Sequence, residues 1–174
     1  GAGKDVLNVK TDAAITAVNA TISNIETINL ESGAGVAFNT TTYTGVETLN
    51  SNKSADTVTL TAAATTDVNV SGVANTAAGL GTVTTVNGGK TVTVTQAMDK
   101  AADAISVQGA VNVNVTATDV IDAAGINVGT TTAVTGTVNV TSTGAAITAA
   151  TVTHSMDAIA VKGGTTVSVT QSYK

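Results

Sequence analysis

Asn24-Ile-Glu-Thr-Ile-Asn-Leu30 returns 21 residues further on as Gly45-Val-Glu-Thr-Leu-Asn-Ser51. In both copies aliphatics alternate with Glu, Asn or Thr, the period-two pattern of a strand with one buried and one solvated face. The interval is a plausible length for one rung of a stacked β architecture. In register, Glu26 and Glu47 then lie one above the other on the outer face. Like charges placed this way repel unless something cationic lies between them; the plain alternative is two solvated glutamates.

Working outward, the opening stretch Gly1-Ala-Gly-Lys-Asp-Val-Leu-Asn-Val9 is a glycine turn closed by an aspartate and followed by an alternating strand, with Leu7 and Val9 on the face marked for burial. Its cadence recurs at Asp56-Thr-Val-Thr-Leu60, Asp103-Ala-Ile-Ser-Val107 and Asp157-Ala-Ile-Ala-Val161. Residues 11–21 are expected as strand or coil, and Thr61–Thr66 as a bend of small residues. Strict alternation is clearest in Thr91-Val-Thr-Val-Thr95, Val111-Asn-Val-Asn-Val115, Thr137-Val-Asn-Val-Thr141 and Thr166-Val-Ser-Val-Thr170. There the valines are expected inside, and Thr91, Thr93, Asn112, Asn114, Asn139 and Ser168 outside or in side-chain ladders. Glycine turns precede two of these strands, at Asn87-Gly-Gly89 and Lys162-Gly-Gly164. One unit thus holds two strands and a short glycine corner, which serves equally as a β-arc or a hairpin. The expected fold is all-β: a β-solenoid or stacked β-roll built from repeated two-strand units. The alternative is a tandem of Ig-like β-sandwich domains, which antiparallel pairing would reveal.

Composition narrows the core. Aromatics are 2% of the 174 residues, namely Phe38, Tyr43 and Tyr173. Burial therefore rests on Val, Ile, Leu and Ala, at roughly 1.5–3 kcal/mol for each fully buried Val or Ile, accumulated over many layers. The lone Phe38 is expected as a corner filler. Valine and threonine favour a pleated surface. The chain has no proline and no cysteine, so disulfides and thiolate metal sites are excluded. With a net charge of −5 and scattered acids, it lacks the basic clusters and stacking aromatics that nucleic acid needs. No apolar run approaches the roughly 20 residues of a membrane helix, so membrane insertion is not expected. Residues 1–174 are expected to be a single repetitive segment, softest near 79–81 and 125–132. Because the chain opens inside a motif and shows no closing element, it is expected to be an excerpt of a longer protein.

Positions 1–7 match the second to eighth places of the nonapeptide G-G-x-G-x-D-x-L-x of RTX-type proteins. The Ile25–Leu30 and Val46–Asn50 phrases, in their Thr/Val/Ala-rich setting, resemble those of Gram-negative S-layer and other type I-secreted surface proteins. The resemblance implies calcium held by glycine and aspartate turns and strands stacked into a roll or solenoid. Carried over by position, Gly1, Gly3 and Asp5 are calcium-turn residues. Asp56, Asp103 and Asp157, with the acid pairs Asp99/Asp103 and Asp119/Asp122, are the further candidate calcium ligands. The turn glycines are replaced at three places: by Asn52 and Ser54 before Asp56, by Asp99 and Ala101 before Asp103, and by Thr153 and Ser155 before Asp157. A calcium ion takes six to eight oxygen ligands, and one intact turn offers half of that. If the units stack, Asp5, Asp56, Asp103 and Asp157 are expected along one edge.

Catalysis finds no constellation. His154 has Ser155 and Asp157 close in sequence, but neighbours along an extended strand point to opposite faces or lie too far apart for a relay, so His154 is expected as a surface residue. A carbohydrate-processing enzyme on a β-helix would need a cleft lined by acids and aromatics. The expected role is a non-enzymatic structural component of an extracellular layer or filament at the bacterial cell surface. Its partners would be further copies of itself, as a homo-oligomer or lattice, and cell-surface polysaccharide through other parts of the parent. An adhesin stalk or binding module is the rival.

Overall fold

A computed structural model describes residues 3–16, 22–74, 80–146 and 155–174. These hold no helix and fourteen strands: β1 Val6–Thr11, β2 Thr27–Ser32, β3 Val36–Asn39, β4 Thr48–Ser54, β5 Val58–Ala62, β6 Asp67–Val73, β7 Val83–Gly88, β8 Thr91–Ala97, β9 Ala104–Gln108, β10 Asn112–Val120, β11 Gly125–Val128, β12 Thr137–Gly144, β13 Ile159–Val161 and β14 Thr166–Tyr173. The even-numbered strands follow β1 into one eight-stranded sheet, and the other odd-numbered strands form a six-stranded sheet. Every pairing between these strands is parallel. The fold is a β-solenoid of about six turns, and its glycine corners are arcs, not hairpins.

The 21-residue interval is one rung, with Thr27 beside Thr48, Ile28 beside Leu49 and Asn29 beside Asn50. Each aspartate-to-aspartate gap from Asp56 onward spans two rungs, with Thr82 and Ala124 occupying the steps between. Side-chain alternation then assigns the faces. Inward residues such as Leu30, Leu49, Val68 and Val94 meet Leu60, Val86, Ile105 and Ile126 of the other sheet in one continuous core. Phe38 is buried and meets Tyr43 edge-on, ring centroids 5.8 Å apart, as a corner filler would.

Val92, Val94, Val113, Val115, Val138 and Val140 are buried as the alternation requires, while Val111 is half-buried just before β10. The fourth strand departs. Val167 and Val169 are 48% and 45% exposed, because β14 lies at the edge of its sheet with a neighbour on one side only. The same holds at the opposite edge, where Leu7 and Val9 are half-buried and Val6 faces out.

Two corners show why glycine is required. Gly88 and Gly89 have φ of 80° and 104°, and a Cβ on Gly88 would stand 2.1 Å from the Ala62 carbonyl oxygen of the adjacent rung. Of the expected soft places, Leu80 and Gly81 carry no strand, and Gly79 lies outside the described residues. In 125–132, however, Gly125–Val128 is β11. Its glycine lies against the Ala158 carbonyl of the next rung, where a Cβ would come within 2.7 Å, so here glycine marks close stacking instead of a loop. Thr61 and Ala62 likewise belong to β5, and the bend begins after them. Within 11–21, Thr11 ends β1 and Ile15 bridges Val36; residues 17–21 lie outside the described residues.

Candidate functional site

The candidate calcium residues fall on two corners of the solenoid. Asp56, Asp103 and Asp157 enter strands of the six-stranded sheet and share one column, in the order Asp56, Thr82, Asp103, Ala124, Asp157. Asp5 enters the eight-stranded sheet instead. Its column continues through Glu26 and Glu47, whose main-chain N–H groups donate to Asp5 O and Glu26 O. The single edge of four aspartates is therefore an edge of three plus a separate acidic corner.

At the separate corner the two glutamates do not face each other bare. Glu26 Oε2 accepts from the Asp5 N–H at 2.7 Å, and Lys4 reaches past it to Glu47 Oε2 at 3.2 Å. The cation at this corner is a lysine, paired with Glu47 in an exposed contact that salt will screen. Gly3 is exposed at the head of this turn, and Gly1 lies outside the described residues. A second ion pair joins Lys10 to Glu31 at 2.8 Å in a recess also lined by Thr11, Ser32 and Gly33. The Lys10 hydrogen bond and charge hold the Glu31 carboxyl below its ordinary value.

In the three-aspartate column the members differ. Asp56 is exposed and caps its own turn, accepting from Thr57 N–H at 2.7 Å. Asp103 is 1% exposed and fully engaged: Oδ1 accepts from Thr82 N–H at 2.6 Å and Thr82 Oγ1 at 3.1 Å, and Oδ2 from Lys100 N–H at 2.9 Å. Its expected partner Asp99 is exposed. Asp119 and Asp122 both hold left-handed backbone, with φ of 54° and 46°, a conformation that aspartate tolerates better than most residues. They serve different contacts. Asp119 pairs with Lys174, just past the end of β14, while Asp122 Oδ1 accepts from Ser155 N–H and Ser155 Oγ, both at 2.8 Å.

Asp157 is the exception. It is 6% exposed, and neither carboxyl oxygen has a hydrogen-bond partner. The column explains why. Asp103 rests on Thr82, which supplies an amide and a hydroxyl, whereas Asp157 rests on Ala124, which has no hydroxyl and gives its N–H to Asp103 O at 2.8 Å. Burial pushes the Asp157 carboxyl above its ordinary value; the Ala123 main chain offsets part of this from outside hydrogen-bonding geometry, and the charges of Asp122 and Asp103 add to the rise. Gln171 of β14 donates to the Asp157 main-chain oxygen at 2.9 Å, fastening the corner to the last rung. Among the described residues no three acids or histidines are gathered as a metal cage. His154 lies outside the described residues.

Single-strand reading missed a polar ladder that spans four rungs. Asn8, Asn29, Asn50 and Asn69 form a ladder on the outer face of the eight-stranded sheet, each Nδ2 donating to the Oδ1 one rung before it at 2.8, 2.7 and 2.8 Å. Asn139 and Asn114 repeat the bond at 3.0 Å, as expected for those strands. The available signal was an asparagine recurring at the rung interval. Comparison with protein-family models, with curated proteins and with solved structures finds no match to this chain.

Proposed function

We propose that this chain is a non-catalytic structural segment of an extracellular layer or filament at a bacterial surface, associating with further copies of itself, with calcium as its cation. The observation that carries this reading is the outer face of β8, β10, β12 and β14. In register across these strands run Thr95, Thr116, Thr141 and Thr170 in one column and Thr93, Asn114, Asn139 and Ser168 in the next. A surface that repeats about every 4.7–4.9 Å offers the same contact many times over. These two columns carry no charge although the chain's net charge is −5, so two copies can approach there without like-charge repulsion.

The test is the association state of the purified chain, by sedimentation and negative-stain microscopy over a concentration series. Ordered, concentration-dependent assemblies are expected. The double variant Thr116→Lys/Thr141→Lys, which sets like charges on adjacent rungs of this face, is expected to remain monomeric with an unchanged β-type circular dichroism spectrum. A chain that stays monomeric throughout, or a double variant that assembles equally well, overturns the reading.

A further inference from the structure

The geometry points to one hard-cation site in this chain, at the corner where Asp157 meets Asp122, with a divalent ion of the calcium type as its ligand. This rests on the reading above only in taking extracellular calcium to be present. Sequence spreads the candidate ligands over nine residues; the structure singles out Asp157, whose buried carboxyl oxygens have no partner.

Asp103, in the same column, is satisfied by three protein donors. Asp56 is exposed and engaged with its own turn, and Asp119 is paired with Lys174. Asp157 alone presents a buried carboxyl with both oxygens unpartnered. Leaving an ionised carboxylate in that condition costs several kcal/mol, so the folded corner requires something to neutralise it. The protein charges that act on it are carboxylates, Asp122 first and Asp103 second. A hard cation fits such a donor set, because calcium takes carboxylate, carbonyl and hydroxyl oxygens in an adaptable shell. Asp122 is held in place by Ser155, whose hydroxyl belongs to the same turn. The replacement of the glycines by Thr153 and Ser155 means that this site does not follow the nonapeptide pattern. Its acids come from residues 35 apart in sequence, Asp122 and Asp157, brought together by rung stacking.

The experiment pairs calcium titration calorimetry with thermal unfolding in calcium and in chelator, on the 174-residue chain and on Asp157→Asn, Asp122→Asn and Asp12→Asn. Asp12 is an exposed aspartate away from this corner. The unaltered chain is expected to bind one calcium with a dissociation constant of about 10⁻⁴–10⁻³ M, and its Tm to rise by roughly 2–8 °C at a few millimolar calcium. Asp157→Asn and Asp122→Asn lose both responses, and Asp12→Asn keeps them. If Asp157→Asn fails to fold, Asp122→Asn and the stoichiometry of the unaltered chain decide. The inference is overturned if the unaltered chain binds no calcium or if either corner variant retains the response. It is equally overturned if Asp157→Asn melts higher than the unaltered chain in chelator while none responds to calcium, the result of a carboxyl that simply carries a proton. A chain that binds no calcium also removes calcium from the reading above; each of these outcomes leaves its assembly part standing, since that part is judged by association and not by metal.

Discussion

Asn50 donates to Asn29 and accepts from Asn69, so a single side chain joins three rungs of the eight-stranded sheet. Each such bond contributes a net 0.5–1.5 kcal/mol or so, and amides whose partners are removed must be resatisfied by water at a half-buried site. Asn50→Ala is therefore expected to lower the unfolding free energy by about 1–2 kcal/mol. Asn8→Ala, which removes one bond at the exposed end of the same ladder, should cost about half as much. Urea denaturation of the two variants checks this; equal losses would show that the ladder contributes through something other than its bonds. Asp157 poses the opposite problem at this scale. Its lack of partners depends on Ala124, 33 residues earlier, and no local pattern in the sequence discloses that.

Among elements, the corners carry the specificity. Gly3, Asn24 and Gly45 recur at the rung interval, and Asn24 and Gly45 both have left-handed backbone, with φ of 56° and 91°. A Cβ on Gly45 meets nothing closer than 3.5 Å, whereas one on Gly88 would collide with a carbonyl at 2.1 Å. The two glycines are needed for different reasons. Gly45→Ala should cost only the left-handed penalty, about 1–2 kcal/mol, and Gly88→Ala distinctly more, because the rung beneath must also move. Thermal unfolding of both decides: a Gly45→Ala loss as large as that of Gly88→Ala would mean that backbone conformation, not rung contact, governs these corners. The contrast also marks what was legible. Strands and their faces could be read because alternation is a local property, as Val92, Val94, Val113 and Val115 show. The choice of arc over hairpin could not, because Asn87-Gly-Gly89 suits either and only stacking on Thr66 and Ala62 selects one. Gly125 shows the same limit: its close approach to Ala158 looks, in sequence, like a soft stretch.

For the whole molecule, parallel stacking makes stability approximately a sum over rungs and their interfaces, and this gives the rung interval a consequence that a globular fold would not share. Removing Thr27–Glu47 excises one full rung, 21 residues, and joins Glu26 to Thr48, recreating the natural Glu47–Thr48 step. β1 can then pair with β4 in the register that β2 now uses, with Asn8 meeting Asn50 and Ile15 standing in the column of Val58. The shortened chain should fold, keep a β-type circular dichroism spectrum and melt cooperatively, with a loss of about 1–3 kcal/mol for the missing residues. Removing only Thr27–Gly35 takes out fewer residues but half a rung. It deletes β2 from the eight-stranded sheet while leaving β3 in the other, so the ladder from Asn8 to Asn50 cannot close without displacing a strand between sheets. That smaller deletion is expected to be the more damaging, with loss of cooperative melting. Comparing the two melts separates the alternatives: if damage instead scales with the number of residues removed, the rung is not the unit in which this molecule is built.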